Sequence, residues 1–436
     1  MRKKIVTKMI ALLCVATIGM TGCGQKQEKK NGSADDKSTS ASTFEPKLDT
    51  EDQVVLSTSG FFGNFEALDQ VIADFNEYYP NVEFTYEQNG INNFASYIEA
   101  NPKTDIFMTS EEIFEKLGDQ VTPMCADLSK EDISLTDIDK KMLKRGYHDG
   151  KLSCIPIGQI TYGLVVNTTL LEKEGLEVPE NYKEFIAVLT KLKKKGYTPV
   201  QGPDSKVYAE LVENMVWDLI LNDKQFYKDL MAGNKEAADK LLPVYDKLDE
   251  MIENGFIDSS VNAKYPDDNY DQAILNFFEG DVPFWVCNTE KVSGMKKRES
   301  KSEAFQKNPF DYTYIYAPLG EEGVYAYKEP WFGFSVNKNA EHYDYAVEFM
   351  RFLAMKDEIN TMADVKGIPS VAVESTNLDI YKNILEPEKV ESEGINEGKI
   401  TAKMVSDWYT SVNQYIAGDY STGKEALENF VETCSK

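Results

Sequence analysis

Apolar positions along this chain fall into two rhythms that alternate. Short unbroken apolar runs mark expected strands, and stretches with apolar residues three and four apart mark expected helices. The run Gln53 to Ser57 gives way to a helical face of Phe65, Leu68, Val71, Ile72, Phe75 and Tyr79; Pro80-Asn81 breaks it, and a strand, Val82 to Tyr86, follows. That order predicts a βαβ unit. Asp105-Ile106-Phe107-Met108 then predicts a short strand delivering Thr109, Ser110 and Glu111 at its carboxyl end, where ligands gather in open α/β sheets. A buried strand, Leu152 to Ile155, is expected to run through Pro156 and Gly158 into a polar turn holding Gln159, Thr161 and Tyr162, before a second apolar run, Leu164 to Val166. A short helix, Leu170 to Lys173, stops at Gly175, and Asn181 with Glu184 three residues later predicts a capped helix start.

Residues 181–257 read as helical, with faces of Phe185, Leu189 and Leu192, then Leu211, Met215, Leu219 and Ile220, then Leu241, Leu242, Tyr245, Leu248 and Ile252. The last part alternates again. Asp271 opens a helix with Ala273, Ile274, Phe277 and Phe278 inward; a strand, Pro283 to Val286, ends in Cys287, Asn288, Thr289 and Glu290; further strands are expected over Tyr312 to Ala317 and Trp331 to Asn337. Helices carrying Ala346, Phe349, Met350, Phe352 and Leu353, then Val405 to Tyr409 and Lys424 to Val431, complete the chain. Strands alternating with helices predict an α/β fold. Trp217 and Trp285 are assigned to core packing.

The N-terminus breaks this pattern. Arg2, Lys3, Lys4 and Lys8 precede a short apolar stretch, Met9 to Met20. It falls short of the roughly 20 apolar residues of a membrane span and reads as a signal peptide over 1–22. Gly19-Met20-Thr21-Gly22-Cys23 resembles a bacterial lipobox, which implies lipidation of Cys23. Residues 23–50 are almost devoid of apolar side chains and cannot offset the entropy of ordering, so a disordered tether is expected. The remaining body is too long for one compact core and suits two lobes. The net charge is −26, and removal of the signal peptide with its four cations makes it −30. Such a surface repels nucleic acid. Cys125, Cys154, Cys287 and Cys434 show no CxxC spacing and no histidine near enough for a metal site. Cys154 and Cys287 are expected as buried thiols, and a Cys125–Cys154 disulfide is conceivable in an exported protein.

The stretch from His148 to Phe185, HDGKLSCIPIGQITYGLVVNTTLLEKEGLEVPENYKEF, resembles the first inter-lobe crossover of bacterial extracellular solute-binding proteins of the sugar type, the maltose-binding-protein-like class of ABC importers. Further matches are Met124 to Ser129, Pro318-Leu319-Gly320 as the return crossover, Trp331 to Asn337 as a glycine-containing strand, and Val405 to Tyr409 leading into Gly418. The resemblance spans roughly residues 50–433 and implies a two-lobed periplasmic-binding-protein-like fold of type II, its discontinuous lobes joined by crossover hinge segments. The N-lobe would comprise 50–158 and 318–355, the C-lobe 159–317 and 356–436. It also implies a monomeric protein, lipid-anchored on the outer face of the cytoplasmic membrane. That protein captures a carbohydrate, an oligosaccharide, in an interlobe cleft and delivers it to membrane permease subunits. No cofactor, metal or catalytic residue is implied.

A pyranose offers an apolar C–H face and a rim of hydroxyls. Trp331, Phe332, Trp408, Phe61 and Tyr162 are the candidate rings. Ser59, Asn64, Ser110, Glu111, Gln159, Asn288, Thr289 and Glu290 are the candidate rim. A non-sugar ligand such as a peptide or polyamine suits the same fold. The rival class is a lipid-anchored glycoside hydrolase with two carboxylates, for instance Glu111 and Glu290. The sequence has no GxSxG or HExxH motif, and His148 and His342 are its only histidines. Gly418-x4-Gly423-Lys424 lacks the Ser or Thr of a phosphate loop and reads as a helix start, and Asp267-x-Asn269-x-Asp271 is half of a calcium loop, read as a solvated cap.

Overall fold

A computed structural model describes residues 44–434, apart from residue 64, residues 203–210, scattered positions between 213 and 233, and residues 258–269, 322, 326–327, 376–377, 383–389 and 392–401. Cys23, Asn64, Trp217, Asp267 and Asn269, with the signal peptide and most of the tether, lie outside the described residues. In chain order the strands are β1 (Val54–Gly60), β2 (Val82–Gln88), β3 (Ile106–Thr109), β4 (Tyr147–His148), β5 (Lys151–Leu152), β6 (Ile155–Asn167), β7 (Val200–Gln201), β8 (Phe284–Asn288), β9 (Tyr312–Tyr316), β10 (Val324–Tyr325), β11 (Lys328–Val336) and β12 (Val390–Glu391). The main sheet runs β2-β1-β3-β11-β6-β8-β7, with β9 also paired to β6.

The first lobe grows from the expected βαβ unit. β1 lies parallel to both β2 and β3, and the helix Glu66–Asn76 buries Ala67, Leu68, Val71 and Phe75. Its core gathers Val54 and Leu56 of β1, Ile106 and Met108 of β3, and Phe349, Met350 and Leu353 of the helix Tyr343–Leu353. The return of the chain through β11, antiparallel to β3, explains why sequence from far along the chain completes this lobe. The core runs past residue 355: Ile359, Met362 and Ala363 of the helix Lys356–Lys366, and Ile368, Val371 and Ala372 beyond it, pack with Leu56 and Val71.

The second lobe forms around the far half of β6. The helices Tyr182–Lys194, Leu242–Glu253, Ala402–Ala417 and Gly423–Cys434 share one core, with Phe185, Leu189, Leu248, Trp408 and Phe430 inside it. The expected cap is present: Asn181 Oδ1 accepts the Glu184 amide at 3.0 Å, and the Glu184 carboxylate accepts the Glu180 amide at 3.0 Å. Trp285, Phe277, Phe278 and Tyr314 build a smaller core on the other face of this sheet.

One expectation is corrected. Gln159 to Tyr162 do not form a turn; β6 runs unbroken for 13 residues through Pro156 and Gly158. Ile155 to Thr161 pair with β11, and Tyr162 to Asn167 pair with β8 on one side and β9 on the other. The strand is therefore the shared spine of both lobes, and its backbone finds partners along its whole length. Close approach demands glycine at two places: a Cβ on Gly163 would sit 2.2 Å from the Ile315 oxygen, and one on Gly333 would sit 2.3 Å from the Ile155 oxygen. Cys125, Cys154 and Cys287 are buried free thiols, so the conceivable Cys125–Cys154 disulfide is not formed. Burial pushes the Cys125 and Cys154 thiols up to about 12. Among the described residues no helix is long and apolar enough to cross a membrane.

Candidate functional site

Where β6 passes from one lobe to the other, three groups of side chains meet. The first is aromatic. The turn after β1 and the middle of β11 bring Phe61, Phe62, Trp331 and Phe332 together: the Phe62 ring lies 4.8 Å from Phe61, 5.2 Å from Trp331 and 5.4 Å from Phe332, mostly edge to face. Phe332 is buried in the first core, whereas Phe61, Phe62 and Trp331 keep part of their surface exposed. They form a partly exposed apolar platform. Lys366, the last residue of the helix Lys356–Lys366, holds its ammonium 4.0 Å from the centre of the Phe62 ring and 5.2 Å from that of Trp331.

The second group is ionic. Glu111, at the start of the helix Glu111–Val121, receives Arg145 Nε at 2.7 and 3.0 Å through its two carboxylate oxygens. Arg145 also reaches Glu329 of β11 at 3.6 Å, and Glu329 accepts the Tyr162 hydroxyl at 3.3 Å. Three of these four side chains, those of Arg145, Glu329 and Glu111, are 11–20% exposed, so their charges act on one another with little screening by water. A cavity of about 10 Å³, room for about one water, is lined by Glu111, Arg145, His148 and Pro330. Beside it the His148 ring stacks on Phe114 at 3.6 Å, and burial lowers its pKa to about 4.

The third group holds the crossing itself. Tyr162 pairs with Asn288 across β6 and β8. Thr289 Oγ1 accepts the Thr161 amide at 3.2 Å and donates to the Gln159 carbonyl at 3.4 Å. Two buried tyrosines secure the surrounding carbonyls. Tyr314 donates to Thr161 at 2.9 Å, and the Tyr381 hydroxyl lies 2.9 Å from the Gly367 carbonyl and 3.3 Å from that of Thr289. Tyr381 thus joins the end of the helix Lys356–Lys366 to the start of the helix Thr289–Ser293.

The predicted residues divide accordingly. Phe61, Trp331 and Phe332 share the platform; Glu111 and Tyr162 share the ionic network; Gln159, Asn288 and Thr289 share the crossing, with Glu290 exposed at its edge. Ser110 is spent on capping, its Oγ accepting the Ile113 amide at 3.3 Å. Ser59 is fully buried in β1, its hydroxyl without a partner among the described residues. Trp408 does not join the set: it is 4% exposed in the core of the second lobe. Phe62, Arg145, Glu329, Lys366 and Tyr381 were not singled out from sequence. The doubled Phe61-Phe62 before Gly63 and the Lys366-Gly367 helix stop before Pro369 are the signals in the sequence that could have found two of them. Among the described residues no group of three or more His, Cys, Asp or Glu is placed to hold a metal.

The family model described as bacterial extracellular solute-binding protein matches residues 62–358. No curated protein matches the chain in sequence. Solved structures of the same fold include apo RafE from Streptococcus pneumoniae, 15% identical, with 89% of this chain and 98% of that one covered and a TM-score of 0.65. A sugar transporter from Bacillus licheniformis in complex with stachyose is 18% identical, with 87% and 98% covered and a TM-score of 0.62. A binding protein of an ABC transporter from Bifidobacterium animalis subsp. lactis, in complex with mannobiose, is 17% identical, with 87% and 93% covered and a TM-score of 0.61. At these identities the likeness establishes the fold, the two-lobed α/β architecture of type II periplasmic binding proteins.

Proposed function

The chain belongs to the bacterial extracellular solute-binding protein family, and from that membership we propose that it captures an oligosaccharide between its two lobes and hands it to the permease subunits of an ABC importer. The observation that carries this reading is the partly buried cluster of Phe61, Phe62 and Trp331 beside the polar residues of the crossing. Flat rings suit the C–H face of a pyranose, and flanking donors and acceptors suit its hydroxyls. Tyr162 and Glu290 are the polar contacts this reading favours; Gln159 and Asn288 are buried, and Asn288 Oδ1 accepts the Lys291 amide at 3.1 Å as a helix cap. The sugars held by two of the structurally similar proteins, stachyose and mannobiose, point the same way.

Hinge closure of the lobes around the sugar is the mechanism. The first lobe is taken as 50–158 with 318 onward through the helix Lys356–Lys366, whose apolar face packs in the first core, and the rest of the body as the second. Lipidation of Cys23 tethers the monomer at the outer face of the cytoplasmic membrane.

The test is thermal unfolding of the protein against raffinose, stachyose, mannobiose and xylobiose, with spermidine and a tripeptide as controls. A ligand at about a hundred times its Kd stabilises by about 2.7 kcal/mol, a rise of a few degrees at this size. A shift with a glycan and none with the controls is the expected result. A shift with spermidine or the peptide alone would discard the sugar, and glycan breakdown during incubation would favour a hydrolase.

A further inference from the structure

The first lobe carries a second concavity, a groove of about 690 Å³ between β1 and β2 and the C-terminal end of the helix Phe94–Ala100, with the loop into β3 and Glu341 as further walls. That volume falls in the range of about 300–1,000 Å³ usual for small-molecule sites. The groove shares no lining residue with the platform, the ionic network or the crossing. It exists because β2 is an edge strand whose outer face is only partly covered. The helix buries Phe94 and Ile98, while Thr85 and Glu87 of β2 stay exposed. In the β1–β2 register Ser57 lies beside Thr85. Ser57 Oγ donates to Asp105 Oδ2 at 2.6 Å and accepts the Asp105 amide at 3.0 Å, which fixes this part of the lining.

The polar groups of the groove are of three kinds. Glu87 and Glu341 accept hydrogen bonds, Lys103 donates them, and the Thr85 hydroxyl, without a hydrogen bond among the described residues, does both. Lys103 and Glu341 meet only at 3.7 Å with side chains 70% and 56% exposed, so the pair is weak and each partner keeps bonding capacity. Tyr97 donates its hydroxyl to Glu87 at 3.2 Å, which orients a ring that is partly exposed. A ligand of one charge sign would be attracted by one of these groups and repelled by another. A neutral ligand rich in hydroxyls meets both donors and acceptors, and a pyranose adds a C–H face for the Tyr97 ring.

We propose that this groove is a second carbohydrate site, outside the interlobe cleft, which holds a neutral oligosaccharide with one ring against Tyr97 and its hydroxyls on Glu87, Lys103 and Glu341. The site lies within one lobe and needs no movement of the other. Its own side chains select the ligand, so it stands or falls separately from capture at the crossing.

The test is methyl NMR of the protein titrated with raffinose, stachyose, mannobiose and xylobiose. The Thr85 and Ala100 methyls report the groove, and those of Thr161 and Thr289 report the crossing. The expected result is that at least one glycan moves Thr85 and Ala100 along a binding curve of their own. Tyr97→Ala should weaken that curve about tenfold and leave the crossing curve unchanged. If Tyr97→Ala alters the ligand-free spectrum, Lys103→Met, at an exposed side chain, takes its place, and a loss confined to the groove is again expected. Groove methyls that stay still with every glycan up to its solubility limit overturn the site, and shifts at the crossing alone then uphold carbohydrate capture there. Groove shifts that neither substitution weakens report a change transmitted from elsewhere and also overturn the site. Shifts in the groove without shifts at the crossing keep this site and overturn capture between the lobes; shifts in neither place overturn both.

Discussion

Glu358 illustrates what a single misplaced charge does in this molecule. Burial, with Asp74, Asp357 and Glu77 nearby, raises its carboxyl to about 7, and one of its oxygens is buried without a hydrogen-bond partner among the described residues. Between the ordinary carboxylate range and about pH 7 the folded state therefore holds a proton that the unfolded state has released, so stability falls as pH rises through that window. Glu358→Gln should melt higher than wild type at pH 8, by a margin of order 1 kcal/mol once solvent screening is allowed for, and the two should converge near pH 4. Melting curves across that range check the sign. The tryptophans make the second residue-scale prediction. Trp408→Ala empties a well-packed core and should cost about 3–5 kcal/mol in urea unfolding, whereas Trp331→Ala, at a ring only partly buried, should cost less stability and weaken glycan binding. From sequence both rings were candidates, because periodicity places an aromatic on a helix or strand without telling whether its face meets a core or the solvent. Lys366 was missed for the converse reason: a lysine ending a helix reads as a solvated cap.

At the level of elements, the parts that repeat a regular rhythm were legible. The βαβ unit, the Asn181 cap, the strand ending at Thr109 to Glu111 and the helix closing on Leu353 all follow from spacing and punctuation. β6 was not, because its polar middle looks like a turn when only local sequence is considered. What makes it a strand lies far away in the chain, in β11, β8 and β9, and non-local pairing leaves no local trace. Thr289 is the lock on that middle. In Thr289→Val the buried Thr161 amide loses its acceptor, a change that should cost about 1–3 kcal/mol. Urea unfolding gives the value, and an unchanged midpoint would mean that the amide finds another partner.

For the whole molecule, two lobes share one spine and complete each other's sheets from distant sequence. A ligand that draws the lobes together should compact the protein, so X-ray scattering with a saturating glycan should give a smaller radius of gyration than without it, and a control ligand that does not bind should leave it unchanged. The division of the chain between lobes was the least legible feature at this scale, since the helix Lys356–Lys366 joins the first core only through contacts with the helix Glu66–Asn76 and its neighbours. The decisive measurement is a crystal structure of the protein with its tightest-binding glycan. A sugar ring lying against Phe61 and Trp331 at the β6 crossing is the expected result; a glycan bound away from that crossing, with Phe61 and Trp331 untouched, would contradict capture between the lobes.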